Sequence, residues 1–251
     1  DIGAAMGITG TDVSKEAADM VLTDDNFATI ISAMGTGRTV FANIRKVVHY
    51  LLSCNAGEIA AIFFTIAFGW GRPLTAIQIL WMNLVTDGAP ALALGVEPAE
   101  KDIMLQKPRR NDEGVLAGGL GGAIVWQGLL LGILTVFAFR LTLDRGASIA
   151  EARTVAFLTL SISQMVHALN VRSRTESVFR LGLFSNRPLI MALALSLALQ
   201  LAVVLIPQLQ PVFNTVPLTR ADWNLVLFLV TIPLIIGELT KAFRRQFGHQ
   251  K

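Results

Sequence analysis

Charged side chains are scarce in this sequence of 251 residues, since Asp, Glu, Lys and Arg together make up only 16% of it. A soluble globular domain carries about 25%. Hydrophobic residues reach 53%, and the mean hydropathy is +0.58. These values argue against an ordinary soluble domain and predict a membrane protein.

Cysteine is almost absent as well. The single cysteine, Cys54, lies in an apolar run, so a disulfide within the chain and a cysteine-based metal site are both excluded. The net charge is only +3, which needs no nucleic-acid partner to explain it. The first residue is Asp1 and no signal peptide is visible at the start. We therefore expect the chain to be part of a longer polypeptide.

Long apolar runs are abundant, and six of them approach the length of about 20 residues that spans a bilayer. The predicted spans are 47–69, 74–95, 116–139, 154–171, 188–206 and 222–240. The fourth run is the shortest and the most polar. Residues 1–36 combine short apolar segments with a polar helical pattern, which predicts part of an α/β domain. Residues 37–251 form the predicted transmembrane domain.

The segment that leads into the first span is helical in pattern. It contains Gly35 and Gly37, and glycine weakens a helix interior. Two structures are therefore open for this segment. Either one helix continues from the soluble part into the first span, or the helix breaks at the two glycines.

Basic residues are distributed unevenly among the predicted loops. Sixteen of the 21 Lys and Arg residues lie before the first span, after the sixth, or in the loops that follow the second and fourth spans. Because basic loops remain in the cytoplasm, both chain ends are predicted to be cytoplasmic, which an even number of spans requires. The compact loops and the lack of a terminal retrieval signal favour a bacterial cell membrane.

Two carboxylates lie deep in the predicted spans, Glu58 in the first and Asp87 in the second. A carboxylate at the bilayer centre costs about 2.5–3.5 kcal/mol on insertion scales. Asn55 precedes Glu58 by three residues, and Asn83 and Thr86 precede Asp87 in the segment NLVTD. These spacings place the polar groups of each span on one helix face.

Carboxylate, amide and hydroxyl oxygens are the ligands that a hard cation prefers. Pro90 removes a hydrogen bond to a carbonyl near Thr86, and interrupted helices form ion sites in other membrane proteins. The alternative is that these polar groups only hold helices together. That alternative leaves both carboxylates without a buried Lys or Arg, so the pattern favours an ion or proton site.

Gln164 and His167 share a face of the fourth span. Both could extend the predicted site. A lone membrane histidine is as often a hydrogen-bonded packing residue, so the signal from His167 is the weaker of the two.

Several long segments resemble P-type cation-transporting ATPases. The segment DIGAAMGITGTDVSKEAADMVLTDDNFATI is similar to the end of their haloacid-dehalogenase-like phosphorylation domain. The segments LLSCNAGEIAAIFF and IQILWMNLVTDGAPALALGVEPAEKDIM resemble the fifth and sixth membrane helices of the calcium-pump and sodium-pump branch. The likeness continues weakly through LFSNRPL, and the number of helices agrees to the end of the chain.

The resemblance implies a mainly α-helical membrane protein, with a six-helix transmembrane bundle preceded by a remnant of the α/β phosphorylation domain. It implies ATP-driven transport of a cation, with calcium as the first choice and sodium as the competitor. Five positions match cation ligands of the family, namely Asn55, Glu58, Asn83, Thr86 and Asp87. Gln164 falls where animal reticulum calcium pumps carry a glutamate ligand, which puts a second complete calcium site in doubt.

The resemblance also implies that ATP and magnesium are bound mostly by an upstream part of the polypeptide. The phosphorylated Asp-Lys-Thr-Gly-Thr motif and the nucleotide-binding domain are absent from this sequence. No residue of the chain is therefore assigned a catalytic role. The expected partners are membrane lipid and the rest of the same polypeptide.

Two other classes of protein fit part of the pattern. A six-span secondary cation transporter or channel would explain Glu58 and Asp87, but it would leave residues 1–46 as half a domain. A membrane scaffold without a transport function would leave both carboxylates unexplained.

Overall fold

The computed structural model describes residues 2–100, 102–105, 108 and 113–248 of the chain. Five of the basic residues used to predict the topology lie outside the described residues, namely Lys101, Lys107, Arg109, Arg110 and Lys251. Two compact units make up the chain, one of Asp1–Ala42 with Pro98–Arg110 and the other of Asn43–Glu97 with Asn111–Lys251. The predicted domain boundary after residue 36 stays a prediction about the longer protein.

The first unit contains a small α/β arrangement. Strand β1 (Ala4–Met6) pairs in parallel with β2 (Met20–Leu22), with Ala5 opposite Val21. Helix α1 (Asp12–Ala17) makes the crossover that a parallel pair requires. The Thr11 side chain caps this helix by accepting a hydrogen bond from Ser14 N at 3.2 Å.

One carboxylate ties together the two loops that follow these strands. Asp25, after β2, accepts hydrogen bonds from Ile8 N and Thr9 N, each at 2.8 Å, and from Thr9 Oγ1 at 2.7 Å. The bond from Ile8 N is foremost among the causes that lower the pKa of Asp25 below its usual value. The ionised carboxylate therefore stabilises the ends of both strands.

Helix α2 extends without interruption from Ala28 to Ala67, over 40 residues. Of the two structures left open by the sequence, the continuous helix is the one observed. A glycine in a helix interior costs only about 1 kcal/mol relative to alanine, which is too little for Gly35 and Gly37 to end so long a helix.

Six helical segments within the described residues are long and apolar enough to cross a membrane. They are α2, the segment Ala76–Leu94 with α3 (Ala76–Trp81) and α4 (Gly88–Leu94), α5 (Leu120–Asp144), α6 (Ile149–Val171), α8 (Arg187–Leu205) and α10 (Arg220–Gly248). The predicted number of spans is confirmed. The short elements between them are α7 (Val178–Leu181), a 3-10 turn (Leu183–Ser185) and α9 (Gln210–Phe213).

Helix α6, the most polar of the predicted spans, is the central helix of the second unit. It packs against α5, α8 and α10, and 83% of its apolar stretch is buried, compared with 28% in α8. Its serines, threonines and amides face other helices rather than lipid, which explains the low hydropathy of this span.

Helices α2 and α5 approach each other closely at glycine positions. A side chain at Gly132 would place its Cβ 2.6 Å from Ala60 Cβ and 2.9 Å from Gly57 O, and one at Gly128 would meet Ser53 O at 2.9 Å. Small residues four apart allow such close contact between membrane helices. This contact fixes the part of α2 that carries Glu58.

Candidate cation site

The second span is interrupted at its polar residues. Helix α3 (Ala76–Trp81) passes into a π turn (Met82–Thr86), and α4 (Gly88–Leu94) completes the span. Asp87 N donates to Met82 O at 2.8 Å, five residues back rather than four. The irregularity predicted from Pro90 is thus observed as a π turn, a feature that often occurs at functional sites.

Glu58 joins three of the spans. Its side chain is only 4% exposed. Oε2 accepts a hydrogen bond from Asn83 Nδ2 at 3.0 Å, and Oε1 accepts one from Gln164 Nε2 at 3.2 Å. The carboxylate of α2 therefore meets amides from the π turn and from α6, as a shared site would require.

Asp87 is completely buried. Its Oδ1 accepts a hydrogen bond from Tyr50 OH at 3.1 Å, whereas Oδ2 has no hydrogen-bond partner in the described part of the chain. Gln164 Oε1 is likewise buried without a partner there. Buried polar atoms are nearly always hydrogen-bonded, so Asp87 Oδ2 and Gln164 Oε1 have acceptor capacity that a bound cation could use.

Two buried cations of the second unit pair with other carboxylates. Arg172 Nη2 lies 2.9 Å from Glu97 Oε1, and Lys241 Nζ lies 3.1 Å from Glu238 Oε1. Among the residues that the structure describes, no Lys or Arg forms an ion pair with Glu58 or Asp87. Hydrogen bonding alone, from neutral amides and a phenol, does not neutralise these two carboxylates.

Two of the predicted ligands form no described side-chain hydrogen bond with the two carboxylates. Thr86 is buried, and its hydroxyl donates to Met82 O at 3.1 Å. Asn55 is half-buried one turn before Glu58 on α2. Within the described chain, no side-chain hydrogen bond joins Asn55 to the other predicted ligands.

Tyr50 is a neighbour of the site that the sequence analysis missed. It lies on α2, with its ring centroid 6.2 Å from that of His167. Its spacing of eight residues from Glu58 puts both on one helix face, and this signal was available in the sequence. His167 makes ring contacts with His49 and Tyr50, and among the described residues no hydrogen bond joins it to Glu58 or Asp87.

The cluster has the chemistry of a site for a hard cation. It offers two carboxylates together with amide and hydroxyl oxygens. No group of three or more His, Cys, Asp or Glu side chains that could hold a metal occurs in the described ranges. A cation bound here would therefore rely on two carboxylates and on neutral oxygens.

These features define an integral membrane protein that crosses the bilayer several times and buries a pair of carboxylates. The chain belongs to the cation-transporting ATPases, since the family profile described as "Cation transporting ATPase, C-terminus" matches residues 71–243. The resemblance seen in the sequence is thereby confirmed.

Curated relatives support the same assignment. Calcium-transporting ATPase of Bacillus subtilis is 49% identical over 242 residues, which cover 95% of this chain and 27% of that protein. Calcium-transporting ATPase 1 of Bacillus cereus is 43% identical over 262 residues, which cover 98% of this chain and 29% of that protein. Calcium-transporting ATPase type 2C member 1 of Homo sapiens is 39% identical over 245 residues, which cover 98% of this chain and 27% of that protein. The chain thus spans less than a third of the length of these relatives.

Proposed function

We propose that this chain is the C-terminal membrane part of an ATP-driven P-type pump that transports calcium. The residues proposed to supply the later part of its cation site are Asn55, Glu58, Asn83, Thr86, Asp87 and Gln164. The observation that carries the proposal is the unpartnered Asp87 Oδ2, which is buried one turn after Asn83, the residue that donates to the buried Glu58. The names of the relatives support calcium as the cation.

The two amides suit a site that alternates between an empty and a filled form. Asn83 and Gln164 here donate N–H groups to Glu58. Each amide also carries a carbonyl oxygen, so turning the amide would present an oxygen to a bound cation instead. Glu58 and Asp87 would then supply the negative charge that the cation requires.

Energy for transport would come from upstream of this chain. Residues 1–36 are proposed to be the end of a haloacid-dehalogenase-like phosphorylation domain, which the parallel pair of β1 and β2 supports. A pump of this kind requires ATP and magnesium. Both are proposed to bind the remainder of the polypeptide.

Helix α2 is the proposed mechanical link to the site. It runs unbroken from Ala28 to beyond Glu58, so a displacement imposed on its first turns would move the carboxylate. Cytoplasmic chain ends follow from the basic residues at one end of the spans. A bacterial cell membrane is proposed on the compact loops and on the similarity to the two Bacillus proteins.

Phosphoenzyme formation tests this function. The full-length protein would be incubated with labelled ATP either in micromolar calcium or in sodium with a calcium chelator. We expect labelling only with calcium. Labelling that needs sodium and ignores calcium would indicate a sodium pump, and no labelling in either condition would favour a secondary transporter.

A matched pair of variants connects this assay to the site. Asp87→Asn should abolish calcium-dependent labelling, because it removes one of the two carboxylates. Asp144→Asn changes a half-exposed carboxylate that pairs with Arg140 at the end of α5, so it should leave labelling unchanged. Equal labelling of both variants would contradict the proposed role of Asp87.

A further inference from the structure

Three arginines converge at one end of the second unit. Arg45 lies on α2, Arg174 follows α6, and Arg244 lies near the end of α10. Arg45 Nη2 donates to Ala117 O, and Arg174 Nη2 donates to Gly118 O at 3.0 Å. The two guanidinium groups therefore lie side by side on one glycine turn.

None of these three guanidinium groups is neutralised by a carboxylate in the part of the chain that the structure describes. The carboxylate nearest in sequence to Arg244 is Glu238, which is engaged by Lys241 Nζ at 3.1 Å and by Val178 N at 3.0 Å. Burial, and after it the charges of Arg244 and Arg45, lower the pKa of Arg174. Like charges are thus held together without a compensating carboxylate among the described residues.

Arg174 also has an unused donor. Its Nε is buried and has no hydrogen-bond partner among the described residues. A cavity of about 20 Å³ is lined in part by Ser173, Arg174, Lys241 and Arg244. This volume has room for a single oxygen atom of a larger group, the rest of which would lie outside the cavity.

The chemistry of this cluster selects a phosphate group. The planar guanidinium fork matches phosphate oxygens, and basic pockets between membrane helices bind anionic headgroups. Trp126 is 54% exposed and Phe243 is 68% exposed. These exposed rings, on α5 and α10 at the same end of the unit, offer apolar surface to acyl chains.

We infer that Arg45, Arg174 and Arg244 form a binding site for a phosphate-bearing anion, supplied by the headgroup of an acidic phospholipid. Such a headgroup would join the ends of α2, α6 and α10. The inference rests on the charges and the unused donor, and it does not depend on which cation the protein transports.

Lipid retention by the purified full-length protein tests this site. Native mass spectrometry would compare dioleoyl-phosphatidylglycerol with dioleoyl-phosphatidylcholine, which has the same acyl chains and a zwitterionic headgroup. We expect the wild type to retain the acidic lipid preferentially. Arg174→Gln should weaken its binding about tenfold, since a hydrogen bond to a charged group contributes roughly the 1.4 kcal/mol that this factor represents.

Two further variants keep the test decisive. Arg244→Gln changes an exposed side chain, so it should reduce retention of the acidic lipid without affecting folding. Arg145→Gln removes the same charge from the exposed C-terminal end of α5 and should retain the lipid like the wild type. An equal loss of lipid retention in Arg145→Gln and Arg174→Gln would overturn the inference, because it would show that retention depends only on the net charge of the protein.

Orthophosphate as a competitor distinguishes the source of the anion. Preference for the acidic lipid, with displacement by millimolar orthophosphate, supports a site for the lipid headgroup. Binding of orthophosphate that Arg174→Gln weakens, without preference between the lipids, supports the same site for a soluble phosphate. Binding of neither the acidic lipid nor orthophosphate above the level of the zwitterionic control would overturn the site.

Discussion

Replacing Arg172 by methionine should strongly destabilise the second unit. The side chain is 1% exposed, although it is charged. Its Nε and Nη2 each lie 2.9 Å from Glu97 Oε1, and its Nη1 donates to Gly182 O at 3.0 Å. Glu97 Oε2 accepts a further bond from Asn186 Nδ2 at 2.6 Å. These contacts connect the end of α6, the segment after α4 and the start of α8.

The magnitude follows from the charge that the substitution leaves behind. Arg172→Met keeps most of the side-chain length but strands Glu97 in a buried position. Breaking a buried ion pair by removing one partner costs about 3–5 kcal/mol. Replacing Arg172 and Glu97 together by methionine removes the stranded charge, and such apolar replacement is often neutral. The double variant should therefore be more stable than the single one.

The midpoint of thermal unfolding of the full-length protein would be compared across these variants. Arg180→Met is the control, because Arg180 is exposed on the nearby helix α7. We expect Arg172→Met to have the lowest midpoint, with the double variant between it and the control. The reasoning would be refuted if Arg172→Met had the same unfolding midpoint as the control, or if the double variant had the lowest midpoint.

Three further predictions concern other parts of the chain. Gly132→Val should lower the unfolding midpoint, because a side chain there overpacks the contact with α2 and overpacking costs about 1–3 kcal/mol. At Gly121 an added Cβ would meet no described atom within 4 Å outside the neighbouring helix backbone, so Gly121→Val should have a smaller effect. Equal midpoints would contradict the close contact. Asp25→Ala should reduce amide-exchange protection at Ile8. The folded pKa of Asp25 lies below its usual 3.8. In the wild type, the protection of Ile8 should therefore be complete above pH 3.8 and decline as the pH falls below it. A loss of protection on raising the pH would contradict this expected pH dependence. Gln164→Glu should increase the number of calcium ions bound per pump, and an unchanged number would count against its position at the site.

The spans could be predicted from the sequence because hydropathy and helical periodicity are local properties. The polar faces around Glu58 and Asp87 followed from spacing within single helices in the same way. The hydrogen bond between Glu58 and Gln164 crosses 106 residues, so periodicity alone could not pair them. The residue pattern predicted only that Gln164 could extend the site, and the resemblance to a known family then matched position 164 to a ligand position.

Other features lay beyond local reasoning. Glu97 and Arg172 stand at the ends of spans, where charges usually reach water, and only the packing of α4, α6 and α8 buries them. The predicted first span covered only the later part of α2, because the polar first half of that helix carries no hydropathy signal. The central position of α6 could not be predicted either. The polar groups through which α6 contacts other helices lower its hydropathy, so the sequence made it the least certain of the spans.

Direct measurement of calcium binding tests the central claim that Glu58 and Asp87 hold the transported cation. Equilibrium binding of radioactive calcium to the full-length protein would be measured for the wild type, Asp87→Asn and the control Asp144→Asn, with thermal unfolding to verify that all three are folded. We predict saturable binding by the wild type and by Asp144→Asn, and its loss in Asp87→Asn. Undiminished binding by folded Asp87→Asn protein would contradict the account.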